Sequence, residues 1–280
     1  MSYLKIKSYA KINLALNVLG KSKSLHKIES IVSFLDLHDE ILIRKINSTN
    51  HKIRFVGKFS TGIKSKNTIS QLLENIDKKK LLKHKYQVVV KKNIPSAAGL
   101  GGGSMNAANI LRFLIKKKFI KLSQKKIRTI SNLIGSDVIL GISSKSTVLK
   151  SNNVIKKFFR SPRYYTLLVR PNFGCSTKKI YSKVKNFTKP KFNYPRKTMF
   201  GSKFLINQDN ALEKITFLKY PKLKEIKSFL ENLKSPLFVR MTGSGSVIVA
   251  YYQSKRDCEL AKVQYKRKFN SHWCIESKTI

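Results

Sequence analysis

The sequence is poor in acidic residues: 14 Asp and Glu face 58 Lys and Arg in 280 residues, a formal net charge of +44 at pH 7. So basic a chain attracts polyanions without regard to their sequence, and a nucleic-acid binder is one interpretation. However, the lysines are spread over the whole length, arginine is scarce, and no zinc-finger, RNP or helix-turn-helix signature is present. We therefore favour compositional drift toward Lys, Ile and Asn, and expect no specific nucleic-acid partner.

Cysteine, glycine, proline and long apolar runs are also infrequent. Three cysteines, far apart and without C-x-x-C spacing, argue against a disulfide framework or a zinc knuckle and favour a reducing, cytoplasmic location. With 13 Gly and 7 Pro, the chain is neither collagen-like nor a linker. No apolar run approaches the ~18 residues of a membrane span, and the segment 11–19 lacks the cleavage site of a signal peptide, so we expect no membrane partner.

Hydrophobic residues make up 41% of the chain, which is enough for a buried core. Short runs rich in Ile, Leu and Val predict early strands at 3–7, 12–19, 28–35, 40–46, 52–56 and 86–91. Apolar residues at helical spacing predict helices at 67–76, 104–117 and 124–134. Further strands and then alternating helices and strands follow. This order predicts an α+β protein of two lobes, with domains at 1–150 and 151–280.

The strongest local signal is the Gly-rich segment 95–104, Pro-Ser-Ala-Ala-Gly-Leu-Gly-Gly-Gly-Ser, between a predicted strand and a predicted helix. Glycines let backbone N–H groups turn toward a ligand, and a helix N-terminus adds unpaired donors and a positive dipole end. The spacing fits neither a Walker A loop nor G-x-G-x-x-G. A tight turn requires fewer glycines, so we favour phosphate binding. The sequence leaves open whether Ser104 caps the helix or faces a phosphate or metal ion.

The small number of carboxylates restricts the choice of a catalytic base. Asp77 and Asp257 lie in Lys-rich helical segments and are expected at the surface. Asp36 and Asp39 flank a predicted hairpin turn and are expected to form it. Asp137 follows a predicted helix and precedes Val-Ile-Leu, so it is either a partly buried carboxylate that accepts a proton from a hydroxyl, or the cap of an Asx turn.

Polar residues interrupt the apolar segment near the N-terminus. If this segment is a strand, Lys11 and Asn13 point to the same side. A single lysine in so basic a chain is expected to be solvated. His26 lies in a polar segment between two predicted strands and is expected to be exposed. No group of His, Cys and Glu has metal-ligand spacing.

Four segments, in this order, resemble motifs of the GHMP kinase superfamily. They are Ala-Lys-Ile-Asn-Leu at 10–14, the Gly-rich segment continued to Ala108, Gly-Ser-Asp-Val at 135–138 and Met-Thr-Gly-Ser-Gly-Ser at 241–246. The first motif, the His26 loop and Phe-Leu-x-Leu-x-Asp at 34–39 narrow the resemblance to a branch that acts on a cytidine-diphosphate sugar alcohol. The fold of the superfamily is a two-lobed α+β kinase with the active site in the cleft between the lobes.

The resemblance implies an ATP-dependent, Mg²⁺-assisted kinase that phosphorylates the 2-hydroxyl of this sugar alcohol. The products would be the 2-phosphate and ADP, in the non-mevalonate route to isoprenoid precursors. Lys11 and Asp137 would be the catalytic residues. Asp137 would activate the hydroxyl, and Lys11 would keep it ionised and stabilise the phosphoryl group in transfer.

The resemblance also implies the ligand contacts. Asn67 and Lys92 fall where the family holds adenine. The ATP phosphate loop would consist of Pro95, Ser96, Ala97, Ala98, Gly99, Leu100, Gly101, Gly102, Gly103 and Ser104. Of these, Ser104 is also the candidate Mg²⁺ ligand. The substrate would be bound by Asn13 at the sugar alcohol, His26 at the cytosine, and Thr242 and Gly243.

The chain departs from the family pattern mainly in the cytosine region. There Leu25 and Val32 replace aromatic residues, so stacking worth ~1 kcal/mol per ring would be lost. Ile139 replaces a proline after Asp-Val, and Met105 replaces a serine of the Gly-rich motif. Two alternatives stay open, another small-molecule GHMP kinase and a catalytically degenerate basic protein that binds polyanions. The sequence does not decide whether the protein forms a homodimer.

Overall fold

The structure is a computed structural model that describes residues 2–22 and 25–280, except for the side chains of Ser22 and Leu25. Its strands are β1 Leu4–Ser22, β2 Leu25–Ile46, β3 Lys52–Val56, β4 Lys85–Lys91, β5 Thr147–Leu149, β6 Ile155–Lys157, β7 Tyr165–Arg170, β8 Phe238–Met241, β9 Ile248–Tyr252 and β10 Trp273–Lys278. Its helices are α1 Thr68–Lys78, α2 Gly102–Lys116, α3 Gln124–Ile134, α4 Val138–Gly141, α5 Thr177–Tyr181, α6 Ser202–Leu205, α7 Glu213–Lys219, α8 Pro221–Glu231 and α9 Lys255–Lys268, with a 3₁₀ turn at Lys197–Phe200. This content confirms the α+β class.

The chain divides into two compact units that alternate along the sequence. The first unit comprises Met1–Lys11, Leu37–Ser96 and Gly101–Ser144. The second comprises Ile12–Asp36, Ala97–Leu100 and Lys145–Ile280. Strands β1 and β2, which pair with each other, therefore contribute residues to both units. The expected domain boundary at residue 150 stays a prediction.

The first unit packs helices against a sheet in which β4 lies between β3 and β2. Strand β3 is parallel to β4, with Phe55 opposite Val90, and β4 is antiparallel to β2. Helix α1 buries its apolar face, and α3 begins and ends where the sequence predicts, with a Ser123 cap and Gly135 at its C-terminus. The apolar spacing explains both helices, because each places its Ile and Leu residues on the side that faces the core.

The second unit contains an antiparallel four-stranded sheet in the order β10–β7–β9–β8. Helices α8 and α9 bury Leu223, Ile226, Ala261 and Tyr265 in one hydrophobic cluster with residues of this sheet, such as Leu167. The same unit holds the antiparallel pairing of β2 with β5 and of β5 with β6. Among the described helices, none has the length and apolarity to span a membrane.

Strands β1 and β2 are longer than the sequence predicts, since each replaces two predicted strands. The expectation that Asp36 and Asp39 form a hairpin turn is therefore wrong, because both lie inside β2. Asp36 accepts hydrogen bonds from the Ser277 hydroxyl and from the backbone N–H of Lys278, at 3.0 Å. Asp39 is fully buried. Both carboxylates are satisfied by residues distant in sequence, so a locally turn-like pattern forms a continuous strand.

Candidate active site

The first unit holds the half of the Gly-rich segment that begins a helix. Gly101 is the N-terminal cap of α2 and has a left-handed φ of 66°. A Cβ atom at this position would lie 2.8 Å from Cγ of Lys11, so the loop passes directly over the lysine stem. The first residues of α2 are thus Gly102, Gly103 and Ser104, and helix geometry leaves their N–H groups without intrahelical acceptors. Ser104 is the third helical residue, so the alternative that it caps the helix is wrong.

Lys11 and Asp137 meet in this unit. Lys11 is only 4% exposed, and its Nζ lies 3.3 Å from Oδ2 of Asp137, whose side chain is 31% exposed. The expectation that Lys11 is solvated is wrong, because the Gly101 backbone packs against its stem. Asp137 stands at the N-terminal cap position of α4, but its side chain makes no capping hydrogen bond to the helix. The alternative that its carboxylate serves as a cap is therefore wrong. The pair combines a partly exposed proton acceptor with a fixed positive charge.

The Ser104 hydroxyl lies close to the segment that leads to Asp137. A Cβ atom at Gly135 would be 3.6 Å from Ser104 Oγ. Within residues 2–22 and 25–280, no group of three or more His, Cys, Asp and Glu is arranged to hold a metal ion. A single hydroxyl near the segment that precedes Asp137, with no carboxylate cluster around it, fits Mg²⁺ bound largely through phosphate and water oxygens, which is the mode that this ion prefers.

The two residues expected at adenine are engaged in the fold of the first unit. Asn67 caps α1: its Oδ1 accepts hydrogen bonds from the N–H groups of Ile69 and Ser70, at 3.0 and 3.1 Å. Lys92 is buried, and its ammonium donates to the carboxylate of Asp39. Each side chain therefore has a structural function in the fold. Its contact with adenine stays a prediction.

The second unit holds the other half of the Gly-rich segment, next to the Thr-Gly-Ser-Gly turn after β8. Gly99 has a φ of +76°, and a Cβ atom there would lie 2.0 Å from the Thr242 carbonyl oxygen. The Thr242 hydroxyl donates to the Gly99 carbonyl (3.2 Å) and accepts from the Asn13 N–H (3.0 Å). The structure thus brings together Asn13, Gly99, Thr242 and Gly243. Packing alone requires glycine at position 99, so phosphate binding does not explain every glycine of the motif.

The remaining residues of the predicted loop support this arrangement. The Ala97 carbonyl accepts from the Cys175 N–H at 3.2 Å, and the Ala98 carbonyl accepts from the Val247 N–H at 3.3 Å. Leu100 is buried, whereas Ser96 of the first unit is exposed. Several members of the loop therefore anchor its backbone.

His26 is half-buried against an aromatic ring, so the expectation of an exposed loop histidine is wrong. Its ring centroid lies 5.0 Å from that of Tyr181, at an interplanar angle of 44°. Burial and the nearby Lys21 ammonium lower the pKa of His26, which favours the neutral imidazole. Val32 is fully buried. The described part of the structure does not include Ser24 of the predicted loop or the side chain of Leu25.

Two residues that the sequence did not single out fix the Thr-Gly-Ser-Gly turn. The Asn210 amide donates to the carbonyls of Met241 (2.8 Å) and Gly243 (2.7 Å). Glu213 Oε1 accepts from the N–H of Met241 at 2.7 Å. Glu213 is the first residue of α7, where an acidic side chain is typical, and Asn210 lies two residues before the Leu212 cap of this helix. This local preference conceals their contact with the turn.

Comparisons with known proteins identify the class of the fold. Residues 67–146 match the N-terminal domain of GHMP kinases, and residues 192–271 match the GHMP kinase C-terminal domain. A crystal structure of 4-(cytidine 5'-diphospho)-2C-methyl-D-erythritol kinase has a TM-score of 0.77 at 19% identity, covering 99% of this chain and 100% of that chain. The fold is therefore that of the GHMP kinases.

Relatives that align along the whole chain narrow this class. The 4-diphosphocytidyl-2-C-methyl-D-erythritol kinase of Pelagibacter ubique (strain HTCC1062) is 58% identical over 281 aligned residues, 100% of both chains. The enzyme of the same name from Anaplasma marginale (strain Florida) is 33% identical and aligns with 98% of this chain and 96% of its own. The protein belongs to the 4-diphosphocytidyl-2-C-methyl-D-erythritol kinase family.

Proposed function

We propose that the protein uses ATP to phosphorylate the 2-hydroxyl of 4-(cytidine 5'-diphospho)-2-C-methyl-D-erythritol. The products are the 2-phosphate and ADP, in the non-mevalonate route of isoprenoid biosynthesis. The observation that carries this proposal is the Lys11–Asp137 pair, at 3.3 Å, with Gly101 at the start of α2 packed on the lysine stem. The substrate follows from the family, whose Pelagibacter member is 58% identical over the whole chain.

The chemistry requires alignment and charge neutralisation more than covalent participation of the protein. Asp137 accepts the proton of the 2-hydroxyl while the oxygen of that hydroxyl attacks the terminal phosphorus of ATP. Lys11 stabilises the negative charge on the phosphoryl group in transfer, and its burial keeps it in place. The bond to the leaving oxygen of ADP breaks, and the proton stays on Asp137 until it passes to solvent.

The first turn of α2 binds the ATP phosphates. Its Gly102, Gly103 and Ser104 present N–H groups at the positive end of the helix dipole, an arrangement that favours phosphate. The Ser104 hydroxyl is the side-chain ligand that we assign to Mg²⁺. When bound, this ion neutralises charge on the phosphate oxygens. We also propose that the ATP-binding domain occupies residues 1–150 and that the C-terminal domain occupies residues 151–280.

The second unit supplies groups suited to the sugar alcohol and the base. Asn13, Thr242 and Gly243 form one hydrogen-bonded group with Gly99, which we assign to the sugar alcohol. The neutral His26 ring can exchange hydrogen bonds with cytosine, and Tyr181 offers an aromatic face beside it. We also propose a cytoplasmic location, since all three cysteines are free thiols.

The test is a turnover assay with purified protein, ATP, Mg²⁺ and 4-(cytidine 5'-diphospho)-2-C-methyl-D-erythritol. We expect ADP and one new phosphomonoester, located at the 2-position by ³¹P NMR. Homoserine, mevalonate and galactose, each offered alone, should be phosphorylated at least ~10³-fold less efficiently in kcat/KM, since their hydroxyls lack the cytidine anchor. Turnover of one of these three instead would assign the protein to another branch of the superfamily.

A further inference from the structure

A buried carboxylate of the first unit forms a polar network that the proposed mechanism does not use. Asp39 is fully buried, and Lys92 Nζ and Asn106 Nδ2 (2.9 Å) both donate to its Oδ2. Its Oδ1 accepts from the backbone N–H groups of Asn93 (2.8 Å) and Ile94 (2.9 Å). One side chain of β2 thereby joins the segment that follows β4 to the body of α2.

The residues held by Asp39 support the first turn of α2. Lys92, Asn93 and Ile94 immediately precede the Gly-rich segment. A Cβ atom at Gly102 would lie 3.0 Å from Cγ2 of Ile94 and 3.2 Å from Nζ of Lys92. The first helical residue therefore rests directly on two side chains that the Asp39 network fixes. A shift of this network would move the N–H groups that we assign to the ATP phosphates.

Asp39 and Lys92 neutralise each other behind the N-terminus of α2. The buried Lys92 ammonium lies at the positive end of the α2 dipole, which is unfavourable for a lone cation. A lone carboxylate behind the same helix start would oppose the binding of an anion. As a pair, the two groups cancel, and the field of the helix N-terminus remains available to phosphate.

We propose that Asp39 is a positioning residue for the ATP phosphates, and that Lys92 acts on the nucleotide through Asp39 rather than by touching it. The inference rests on the proposed ATP-dependent function. It differs from the family-based expectation for Lys92, which places this residue where the family holds the adenine. The two descriptions predict opposite results when both charges are removed together.

The measurement is the dissociation constant of ATP, from isothermal titration with the purified protein. In Asp39→Asn the amide oxygen can still accept from Asn93 and Ile94, but the amide nitrogen faces the Lys92 ammonium and the Asn106 amide. The Lys92 ammonium is then buried without a counter-ion, and its displacement shifts the segment beneath the first turn of α2, which lowers the ATP affinity by more than the attraction of this ammonium for phosphate raises it. We expect ATP to bind about 10-fold more weakly or worse, whereas kcat at saturating ATP and KM for the sugar alcohol change less than about threefold.

The decisive variant is Asp39→Asn with Lys92→Gln, which replaces the ion pair by a neutral amide–amide hydrogen bond. If Lys92 acts through Asp39, ATP binds at least about fivefold more tightly to the double variant than to Asp39→Asn alone. If Lys92 touches the nucleotide, its removal weakens binding further. A double variant that binds ATP no better than the single one would overturn the proposal.

Glu29→Gln is the matched control, because Glu29 is also fully buried and accepts hydrogen bonds from two backbone N–H groups, those of Lys191 and Phe192. It should lower the melting temperature but leave the ATP dissociation constant unchanged. If Asp39→Asn does not fold, Asn106→Ala tests the same network by removing one donor. In that variant an unchanged ATP affinity would count against the proposal, and an affinity weakened about threefold would support it.

These results separate the inference from the proposed function. A parent protein that binds ATP but does not phosphorylate the cytidine substrate would contradict the function, while the cycle of Asp39 and Lys92 variants would still decide the inference. Conversely, normal turnover together with an ATP affinity that ignores Asp39→Asn would contradict the inference and leave the function intact.

Discussion

The ammonium of Lys11 lies 3.3 Å from the carboxylate of Asp137, although the two residues come from opposite ends of the first unit's sequence. This pair, beside the start of α2, leads to the most direct prediction. In Asp137→Asn the side chain keeps its shape but can no longer accept a proton. We expect kcat to fall about 10³-fold and the ATP dissociation constant to change less than about threefold.

Stopped assays of ADP formation and isothermal titration with ATP measure the two quantities. Glu40→Gln is the control, because Glu40 is a surface carboxylate of the same unit that pairs with Lys5 and Lys91. Its kcat should equal that of the parent protein. A kcat of Asp137→Asn near the parental value would show that Asp137 is not the base.

The glycines of the Gly-rich segment should separate into two kinds on substitution. Gly99→Ala places a Cβ atom 2.0 Å from the Thr242 carbonyl oxygen at a φ of +76°. We expect a loss of about 3 kcal/mol or more in the free energy of unfolding. Gly103→Ala meets only the Thr68 side chain, at 3.3 Å, and should change stability by less than about 1 kcal/mol.

Urea denaturation measures both variants, and ATP titration then tests the function of Gly103. If glycine is needed there for close approach of a phosphate, Gly103→Ala should weaken ATP binding about 10-fold despite its normal stability. Equal and large stability losses in the two variants would contradict this division.

The local elements could be predicted from the sequence, and the long strands could not. Helix α3 shows why the first succeeds: its apolar spacing, the Ser123 cap and Gly135 all lie within a short segment. The continuous β2 shows why the second fails. Asp36 and Asp39 carry turn-forming side chains, and their partners are near residues 277 and 93, which no local pattern reveals.

The residues of the candidate site that lie in sequence motifs could be predicted. The residues whose function depends on burial could not. The Gly-rich segment was conspicuous because glycine is scarce in this chain. Lys11 was not conspicuous in itself, since lysine is abundant and only the packing of Gly101 shows that this one is buried. Similarly, the contact of His26 with Tyr181 joins β2 to α5, which are far apart in sequence.

Asn210 provides a test of how the turn after β8 is held. In Asn210→Asp, a carboxylate oxygen replaces the nitrogen that donates to the carbonyls of Met241 and Gly243. We expect a loss of about 2–4 kcal/mol in the free energy of unfolding, because two hydrogen bonds become repulsive contacts. The KM for the cytidine substrate should rise more than the KM for ATP.

Lys227→Gln is the matched control for Asn210→Asp. It removes the positive charge that pairs with Glu213 Oε2 at 2.6 Å, but leaves in place the hydrogen bond that the Met241 N–H donates to Glu213 Oε1. We expect both KM values to stay within about twofold of the parent. A variant of Asn210 with parental stability and parental KM would show that the turn holds its conformation without this amide.

The half-buried His51 predicts a decrease of stability in mildly acidic solution. Its Nδ1 accepts the N–H of Tyr86 at 2.9 Å, and burial lowers its pKa although Asp77 opposes that shift. The unfolded chain therefore binds a proton at higher pH than the folded chain does. Stability is constant above pH ~6.5 and decreases as the pH falls below it.

Melting temperatures between pH ~7.5 and ~5.5 test this sign, in a range where carboxylates remain ionised. His26 and His272 have pKa values lowered in the same direction, so part of the decrease should persist without His51. In His51→Asn, whose amide oxygen can still accept from Tyr86, the decrease should be smaller. An equal decrease in parent and variant would refute the assignment to His51.

The excess of lysine should make the protein more stable in salt. A net charge of +44 on 280 residues leaves most cations without an acidic partner, and their mutual repulsion opposes the compact state. The Debye length falls from ~30 Å at 0.01 M to under 10 Å at ~0.3 M salt, so sodium chloride screens this repulsion. We expect the melting temperature to rise by several degrees over that range.

The same screening decides between drift and a nucleic-acid function. Drift predicts that duplexes of different sequence bind equally at ~0.02 M salt and are released together by ~0.3 M, because only phosphate charges are contacted. Fluorescence anisotropy with labelled duplexes, each titrated with sodium chloride, measures this. A sequence preference requires contacts to base edges. Binding of one duplex that persists at the higher salt would therefore show that some of the lysines form a recognition surface and are not merely the result of compositional drift.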